Sequence, residues 1–219
     1  MRNVSFGLSV LLALAALAPL SSSCLGKEEK DAPKDKGALL GPDKLPLHQG
    51  LIAHYFKDPL EWEGNWKQGE KPTVKPTDYT FRAYAYSKGE PLVNHLTVHR
   101  GWFSVRWVGW LKIPPGQSDK KGGAESYTFN LELWMDDGAR LFVDGTKLVD
   151  DWRPCAETEP ESHREAKVKL GPGLHRLVIE YFQGESLPQL DPDPAKFYWS
   201  CDALKIPHQI VPASHLFHT

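Results

Sequence analysis

The most constraining feature of this chain is a strict alternation of apolar and polar residues in short runs. Phe103, Val105 and Trp107 alternate with polar neighbours, and residues 127–133 and 174–182 repeat the pattern. A period of two places every second side chain on one face of a β-strand, whereas an amphipathic helix needs a period of 3.6. No window of the sequence has a convincing helical period, and prolines are scattered throughout. The sequence therefore predicts an all-β protein.

The apolar runs end in sequences that are typical of tight turns. These are Pro114-Pro115-Gly116, Asp137-Gly138, Asp144-Gly145 and Gly171-Pro172-Gly173. Asp-Gly favours two-residue hairpins because glycine accepts the positive φ that such turns need. Many short strands joined by tight turns are typical of a sandwich or barrel, in which two antiparallel sheets bury their apolar faces against each other. Residues 48–217 have the length of one such domain.

The N-terminal region predicts export. Residues 1–23 combine the positive charge of Arg2, an apolar run over residues 8–20 and a group of serines, which is the order found in a signal peptide. The apolar run is shorter than the roughly 20 residues that a membrane-spanning helix needs. Residues 24–47 mix charges of both signs with prolines, and this composition predicts a disordered tether.

The serines lead into Cys24, and this junction resembles a bacterial lipobox, whose cysteine becomes the lipidated N-terminus of the mature protein. Ser21 stands where a lipobox usually has leucine, and Leu20 lies one place earlier. The resemblance implies a lipoprotein of the bacterial cell envelope that contacts the membrane through its acyl chains only. The alternative is secretion after cleavage near the serines.

The number of cysteines agrees with this interpretation. The chain has three, and an odd count in an exported protein requires an explanation. If Cys24 carries lipid, Cys155 and Cys201 remain as a predicted disulfide in an oxidising compartment. Two unpaired thiols are the alternative, because pairing depends on geometry that the sequence does not contain.

Charge and motifs exclude several classes of function. The formal net charge is only −2, so the sequence has no electrostatic case for binding nucleic acid. It contains no Gly-x-Ser-x-Gly, His-Glu-x-x-His, Cys-x-x-Cys or phosphate-binding Gly-Lys motif. We therefore expect a non-catalytic domain.

Residues 60–100 form a segment rich in aromatic side chains. They include Trp62, Trp66, Tyr79, Phe81, Tyr84 and Tyr86. One interpretation is an aromatic surface on which sugar rings stack. We favour the other, an insertion that packs these rings against the sandwich.

The stretch from Trp134 to Trp152 carries a family resemblance. It reads as strands joined by Asp136-Asp137-Gly138 and by the Asp144-Gly145 hairpin, and it is similar to the PA14 domain. Segments 50–56, 103–110, 127–129 and 170–182 resemble other parts of that family in the same order. The resemblance implies a PA14-like antiparallel β-sandwich. Such domains occur in adhesins, in toxins and as accessory modules of glycosidases.

The resemblance also implies a site. In sugar-binding adhesins of this family, adjacent aspartates joined by a cis peptide bond hold a calcium ion that coordinates sugar hydroxyls, and Asp136 and Asp137 match them. A second loop over residues 183–196 offers Asp191 and Asp193 where adhesins often have asparagine. The implied function is calcium-dependent binding of carbohydrate or a cell-surface glycan. The alternatives are an ordinary turn at these aspartates and a structural or protein-interaction module without metal.

Overall fold

The fold is all-β, as the sequence predicts. A computed structural model describes residues 39–58, 80–97, 103–116, 126–153, 163–184 and 193–219, and these contain thirteen strands. The strands are β1 (His48–Gln49), β2 (Leu51–Lys57), β3 (Ala83–Glu90), β4 (Asn94–Thr97), β5 (Phe103–Ile113), β6 (Tyr127–Met135), β7 (Gly138–Val143), β8 (Thr146–Asp151), β9 (His163–Leu170), β10 (Gly173–Gln183), β11 (Asp193–Cys201), β12 (Ile206–Ile210) and β13 (Leu216–His218).

Two antiparallel sheets contain these strands. The eight-stranded sheet has the order β1-β13-β5-β10-β7-β8, with β2 paired to β5 and β3 paired to β2. The five-stranded sheet has the order β12-β11-β6-β9, with β4 on the same edge of β11 as β12. Strands that follow each other in sequence lie in different sheets at β6–β7 and β9–β10. Their connections therefore cross from one sheet to the other.

The core lies between the sheets and consists of the faces that the alternation predicts. On β5, Val105 and Trp107 are buried, and on β6 the side chains of Phe129, Leu131 and Leu133 have no exposed surface. Phe129 stacks on Trp199 of β11 at a centroid distance of 5.6 Å. Each fully buried side chain of this size contributes roughly 1.5–3 kcal/mol through removal of apolar surface from water. This burial is the main term that holds the sheets together.

The Asp144-Gly145 hairpin also forms as predicted. It joins β7 to β8, and its residues have positive φ angles of 49° and 78°. The Asp144 carboxylate accepts a hydrogen bond from the Arg176 backbone N–H at 2.8 Å and lies 2.6 Å from His175 Nδ1. The turn is thereby fastened to β10.

The predicted tether differs from the structure at its C-terminal end. Its last residues, 39–47, contain a turn in which the N–H of Gly41 donates to the carbonyl of Leu45 at 2.8 Å. Leu40 and Pro46 form an isolated bridge. The rest of the predicted tether, the predicted signal peptide and Cys24 lie outside the described residues. Composition did not reveal this turn because it depends on backbone hydrogen bonds.

Cys201 ends β11 and is buried, with 2% of its surface exposed. Its predicted partner Cys155 lies outside the described residues, so the disulfide stays a prediction. None of the helices within the described residues is long and apolar enough to span a membrane.

A buried carboxylate connects the two sheets. Glu90, at the end of β3, is 3% exposed and accepts hydrogen bonds from Tyr55 Oη at 2.5 Å and Trp107 Nε1 at 2.6 Å. His95 Nε2 on β4 and Lys88 Nζ both lie 2.9 Å from it. Burial by itself would raise the pKa of Glu90, but the bonds from His95, Trp107, Tyr55 and Lys88 outweigh it and lower the pKa to about 2. Glu90 is therefore a stabilising charge at neutral pH.

We expect this charge to make part of the stability depend on pH. The folded pKa of Glu90 lies below that of an unfolded glutamate, so its contribution is present above roughly pH 4.3 and is lost as the pH falls towards 2. The difference in unfolding free energy between the parent and Glu90→Gln should be about 3 kcal/mol at pH 7 and shrink through that range. Urea unfolding at pH 7, 4.5, 3 and 2 measures it. Asp202→Asn on the surface is the control, and a pH-independent difference would contradict the assignment.

Candidate metal and ligand-binding loop

The two predicted aspartates lie where the chain crosses between the sheets. Asp136 and Asp137 connect β6 of the five-stranded sheet to β7 of the eight-stranded sheet, and the peptide bond between them is cis. Asp136 is half-buried, and Asp137 is 7% exposed. We call this connection the Asp-Asp loop.

Neighbouring strands hold the backbone of the Asp-Asp loop. The N–H of Asp136 donates to the carbonyl of Pro194 on β11 at 3.2 Å, and the N–H of Asp137 donates to that of Phe182 on β10 at 3.3 Å. The Tyr181 hydroxyl donates to the carbonyl of Asp136. The loop is thus bonded to both sheets, and its backbone position is determined by strands distant in sequence.

Arg164 on β9 fastens the same loop from the other side. This residue is 8% exposed; its Nη2 donates to the carbonyl of Asp137 at 2.8 Å and its Nη1 donates to that of Met135. Its Nε donates to the Asp151 carboxylate on β8 at 2.9 Å. A buried cation is costly unless it is paired, and Asp151 supplies the pair. Sequence reasoning missed Arg164, although its place between His163 and Glu165 puts it on the inner face of an alternating strand.

The Asp137 side chain points towards the second predicted loop. Its Oδ2 accepts a hydrogen bond from the backbone N–H of Gly184 at 2.5 Å. Gly184 follows β10 and precedes residues 185–192, which lie outside the described residues. Beside it, Gln183 is 2% exposed, and its side-chain amide lies within hydrogen-bond distance of Tyr181 Oη. The structure therefore brings Asp137 to the beginning of the predicted 183–196 loop.

The other two predicted ligands are only partly located. Asp191 lies outside the described residues. The prediction of a loop over residues 183–196 is wrong at its C-terminal end, because Asp193 begins β11 and pairs with Thr97 of β4. Asp193 lies next to Pro194, whose carbonyl accepts the Asp136 N–H. Its backbone is therefore close to the Asp-Asp loop, while the role of its carboxylate stays a prediction.

Gly138 and a cluster of aromatic side chains pack next to the Asp-Asp loop. A Cβ on Gly138 would lie 2.0 Å from Cε1 of Phe182, so only glycine fits under this ring. Phe182 packs edge-on against Trp152 at 4.9 Å, and Trp152 stacks on Phe81 at 5.7 Å. The guanidinium of Arg140 lies 4.3 Å from the Trp152 ring centroid. The sequence showed Gly138 as a turn residue, but not the ring that requires it.

The aromatic segment is partly packed and partly exposed. Phe81 packs into the cluster, whereas Tyr84 and Tyr86 on β3 are 62% and 49% exposed. Tyr86 stacks on Tyr55 at 4.8 Å. Trp62, Trp66 and Tyr79 lie outside the described residues.

A small cavity lies beside this tyrosine pair. Its volume is about 80 Å³, and Tyr55, Tyr86, His95, Trp107 and Tyr181 are among its lining residues. Tyr181 links it to the loop, because its hydroxyl bonds the Asp136 carbonyl. Tyr181 therefore contacts both the cavity wall and the backbone of the Asp-Asp loop.

The donors of the loop fit calcium. Calcium takes six to eight hard oxygen ligands, of which carboxylates are the commonest charged type. The carbonyls of Met135, Asp136 and Asp137 accept hydrogen bonds from Arg164 and Tyr181. The two carboxylates are the charged oxygen donors of the loop, and Oδ2 of Asp137 also accepts the Gly184 N–H. Asp151 pairs with Arg164 and also with Arg153.

The sequence model of the PA14 domain matches residues 91–208, which run from the end of β3 to β12 and include the Asp-Asp loop. The curated protein Anti-sigma-I factor RsgI3 of Acetivibrio thermocellus is 31% identical over 121 residues, which cover 55% of this chain and 16% of that protein.

Solved structures share the fold. An anti-sigma factor domain-containing protein superposes with a TM-score of 0.54 at 21% identity, covering 78% of this chain and 48% of that chain. A PA14 sugar-binding domain from an RTX adhesin superposes with a TM-score of 0.53 at 14% identity, covering 78% of this chain and 99% of that one. The predicted PA14-like antiparallel β-sandwich is confirmed. This chain spans less than half the length of either anti-sigma protein.

We expect Gly138→Ala to destabilise the fold by about 1–3 kcal/mol, because the added methyl group overlaps the Phe182 ring. Chemical denaturation measures this change. Gly89→Ala is the matched control, since the atom nearest to its Cβ is 3.9 Å away, and it should change stability by less than about 0.5 kcal/mol. Replacing the Phe182 ring with the smaller leucine side chain should relieve the overlap. The double variant Gly138→Ala/Phe182→Leu should therefore recover part of the stability that Gly138→Ala loses. Equal effects of Gly138→Ala and Gly89→Ala would contradict the packing argument.

Proposed function

The chain belongs to the PA14 domain family, and on that premise we propose that it is a non-catalytic carbohydrate-binding module of the bacterial cell envelope. The observation that carries this proposal is the Asp-Asp loop, in which two adjacent aspartates lie where the chain crosses between the sheets and the Asp137 carboxylate bonds the start of the 183–196 segment. A calcium ion held there would offer its remaining coordination positions to vicinal hydroxyls of a sugar.

The bonds beneath the loop support such a role. Arg164, Tyr181 and Pro194 hold the loop backbone, so the Asp136 and Asp137 carboxylates start from a fixed support. A binding site gains affinity when its supporting contacts hold the ligands before binding, because less ordering remains to be done. Asp191 and Asp193 of the second loop would supply further oxygen ligands.

The exposed tyrosines would offer an apolar contact to a bound sugar. The face of a sugar ring presents C–H groups, and an aromatic ring is a large rigid surface for them. Tyr86 is held by its stack on Tyr55, and the adjoining cavity reaches Tyr181 under the loop. The combination of charged oxygens and an aromatic face is a reasonable match to an amphipathic carbohydrate.

A structural or protein-interaction module without metal is the second candidate. The feature in its favour is β3, whose residues from Ala83 to Gly89 are all exposed and which pairs only with β2 among the described strands. An exposed edge strand presents backbone groups that another chain can pair with. Under this alternative, Asp136→Asn would leave binding to the partner intact.

Attachment to the envelope would come from the N-terminal region. Lipid on Cys24 would anchor the domain by burying methylene groups, each worth about 0.8 kcal/mol. Residues that follow Cys24 would hold the sandwich away from the membrane surface.

We expect Asp136→Asn and Asp137→Asn each to abolish calcium-dependent glycan binding, because each removes a charged oxygen ligand. Calorimetric titration measures calcium binding. A glycan array, read with and without a calcium chelator, measures glycan binding. Asp202→Asn changes the same charge at an exposed position outside the loop and should bind like the parent.

Melting temperatures confirm that each variant is folded. Retention of no sugar by the parent, with or without calcium, would overturn the carbohydrate proposal. Sugar binding that persists in both loop variants would overturn the assignment to the Asp-Asp loop.

We expect Cys24→Ala to move the protein from the membrane fraction to the soluble fraction of its host. Phase separation in detergent and mass measurement of the N-terminal peptide test this, with Cys155→Ala as a control that keeps Cys24. A Cys24→Ala protein that stays with the membrane would contradict lipid anchoring.

A further inference from the structure

A second group of metal-binding side chains lies on the outer face of the five-stranded sheet. Glu132 of β6 and Glu165 of β9 are direct cross-strand partners. His163 lies two residues before Glu165, so alternation puts it on the same face. His208 reaches the group from β12, although it is 76 residues from Glu132 in sequence. None of these residues belongs to the Asp-Asp loop.

The distances within this group are short. His163 Nε2 lies 2.7 Å from Glu132 Oε1 and 3.7 Å from Glu165 Oε1, and the three ligand atoms are all within 4.8 Å of one another. His208 Nε2 lies 2.6 Å from the other oxygen of Glu132. One imidazole nitrogen thus faces both carboxylates.

Electrostatics favours a cation at this point. Like charges directly opposite on neighbouring strands repel each other. Glu132 is only 6% exposed, so water does little to screen its charge. A neutral histidine donates one hydrogen through Nε2 and can satisfy one carboxylate with it. A divalent cation among the three ligand atoms would be attracted by both carboxylates at once.

We propose that Glu132, His163 and Glu165 form a binding site for a divalent transition metal of the zinc type. Zinc binds histidine nitrogen and carboxylate oxygen at about 2.0–2.2 Å, and tetrahedral ligand atoms at that range are about 3.4 Å apart. The separations of 2.7 and 3.7 Å lie on either side of this value. Small side-chain movements would therefore bring the three ligands onto one ion.

The surrounding residues orient these ligands. His208 holds the second oxygen of Glu132, and its ring stacks on Tyr198 at 4.8 Å with an interplanar angle of 6°. Asn130 Nδ2 donates to the second oxygen of Glu165 at 3.4 Å. Outer contacts of this kind fix the orientation of metal ligands.

The ligand types separate this site from the Asp-Asp loop. Imidazole nitrogen with carboxylate oxygen suits zinc, whereas calcium prefers oxygen ligands alone. Three protein ligands leave the fourth tetrahedral position for water or for a donor group of a bound molecule. The site needs no metal at Asp136 or Asp137, so it stands independently of the proposed sugar-binding function.

Competition with a chromogenic zinc chelator tests the proposal on the full exported chain. We expect one Zn²⁺ per chain, with affinity lowered at least about tenfold by His163→Ala or Glu165→Gln. Glu165 has a side chain that is 51% exposed, so its substitution leaves the fold intact. His54→Asn is the matched control, because His54 is also a strand histidine with one side-chain partner, Ser87. It should bind zinc like the parent, as should Asp136→Asn.

Zinc should also raise the melting temperature of the parent and of His54→Asn, but not that of Glu165→Gln. Two results would overturn the proposal: absence of stoichiometric zinc uptake by the parent, or uptake by His163→Ala and Glu165→Gln with the affinity of the parent.

Discussion

The buried guanidinium of Arg164 is the contact on which the candidate site depends. It bonds carbonyls on either side of the crossing between sheets and pairs with Asp151 on the eight-stranded sheet. A charge with so little exposed surface is stable only when each of its donors has a partner. Arg164 is paired only when β9 and β8 lie next to each other. Once paired, Arg164 holds the Asp-Asp loop in place.

Glu90 is a buried negative charge, and it too is stable only because its oxygens have hydrogen-bond partners. It gathers donors from β2, β3, β4 and β5, and β4 belongs to the other sheet. Apolar burial between the sheets is strong but not directional, so it allows some sliding. Hydrogen bonds to a buried charge have defined geometry and specify one arrangement. The apolar core thus supplies most of the stability, and Glu90 and Arg164 specify how the sheets meet.

Sequence patterns predicted β2, β5 to β10 and the Asp144-Gly145 hairpin, and they indicated Asp136 and Asp137 as candidate ligands. They did not predict β3, β4, β11, β12 or β13 as strands. Gly138 was visible as a turn residue, but the need for glycine comes from the Phe182 ring. Arg164 and Tyr181 were not predicted as supports of the loop, because their partners lie far away in the chain. Neither was the group around Glu132, since its histidines come from two strands that no local pattern associates.

The sequence alone determined what is local: alternation assigns each side chain to a face, and glycine or aspartate at a turn determines how a strand can reverse. Tertiary structure decided which strands pair, and therefore which side chains meet. The physical reason is that a strand's apolar face can be buried by many partners of equal hydrophobicity. Only the combined packing of the core, together with the pairing of Glu90 and Arg164, selects one of them. The Asp-Asp loop and the Glu132 group both owe their geometry to that selection.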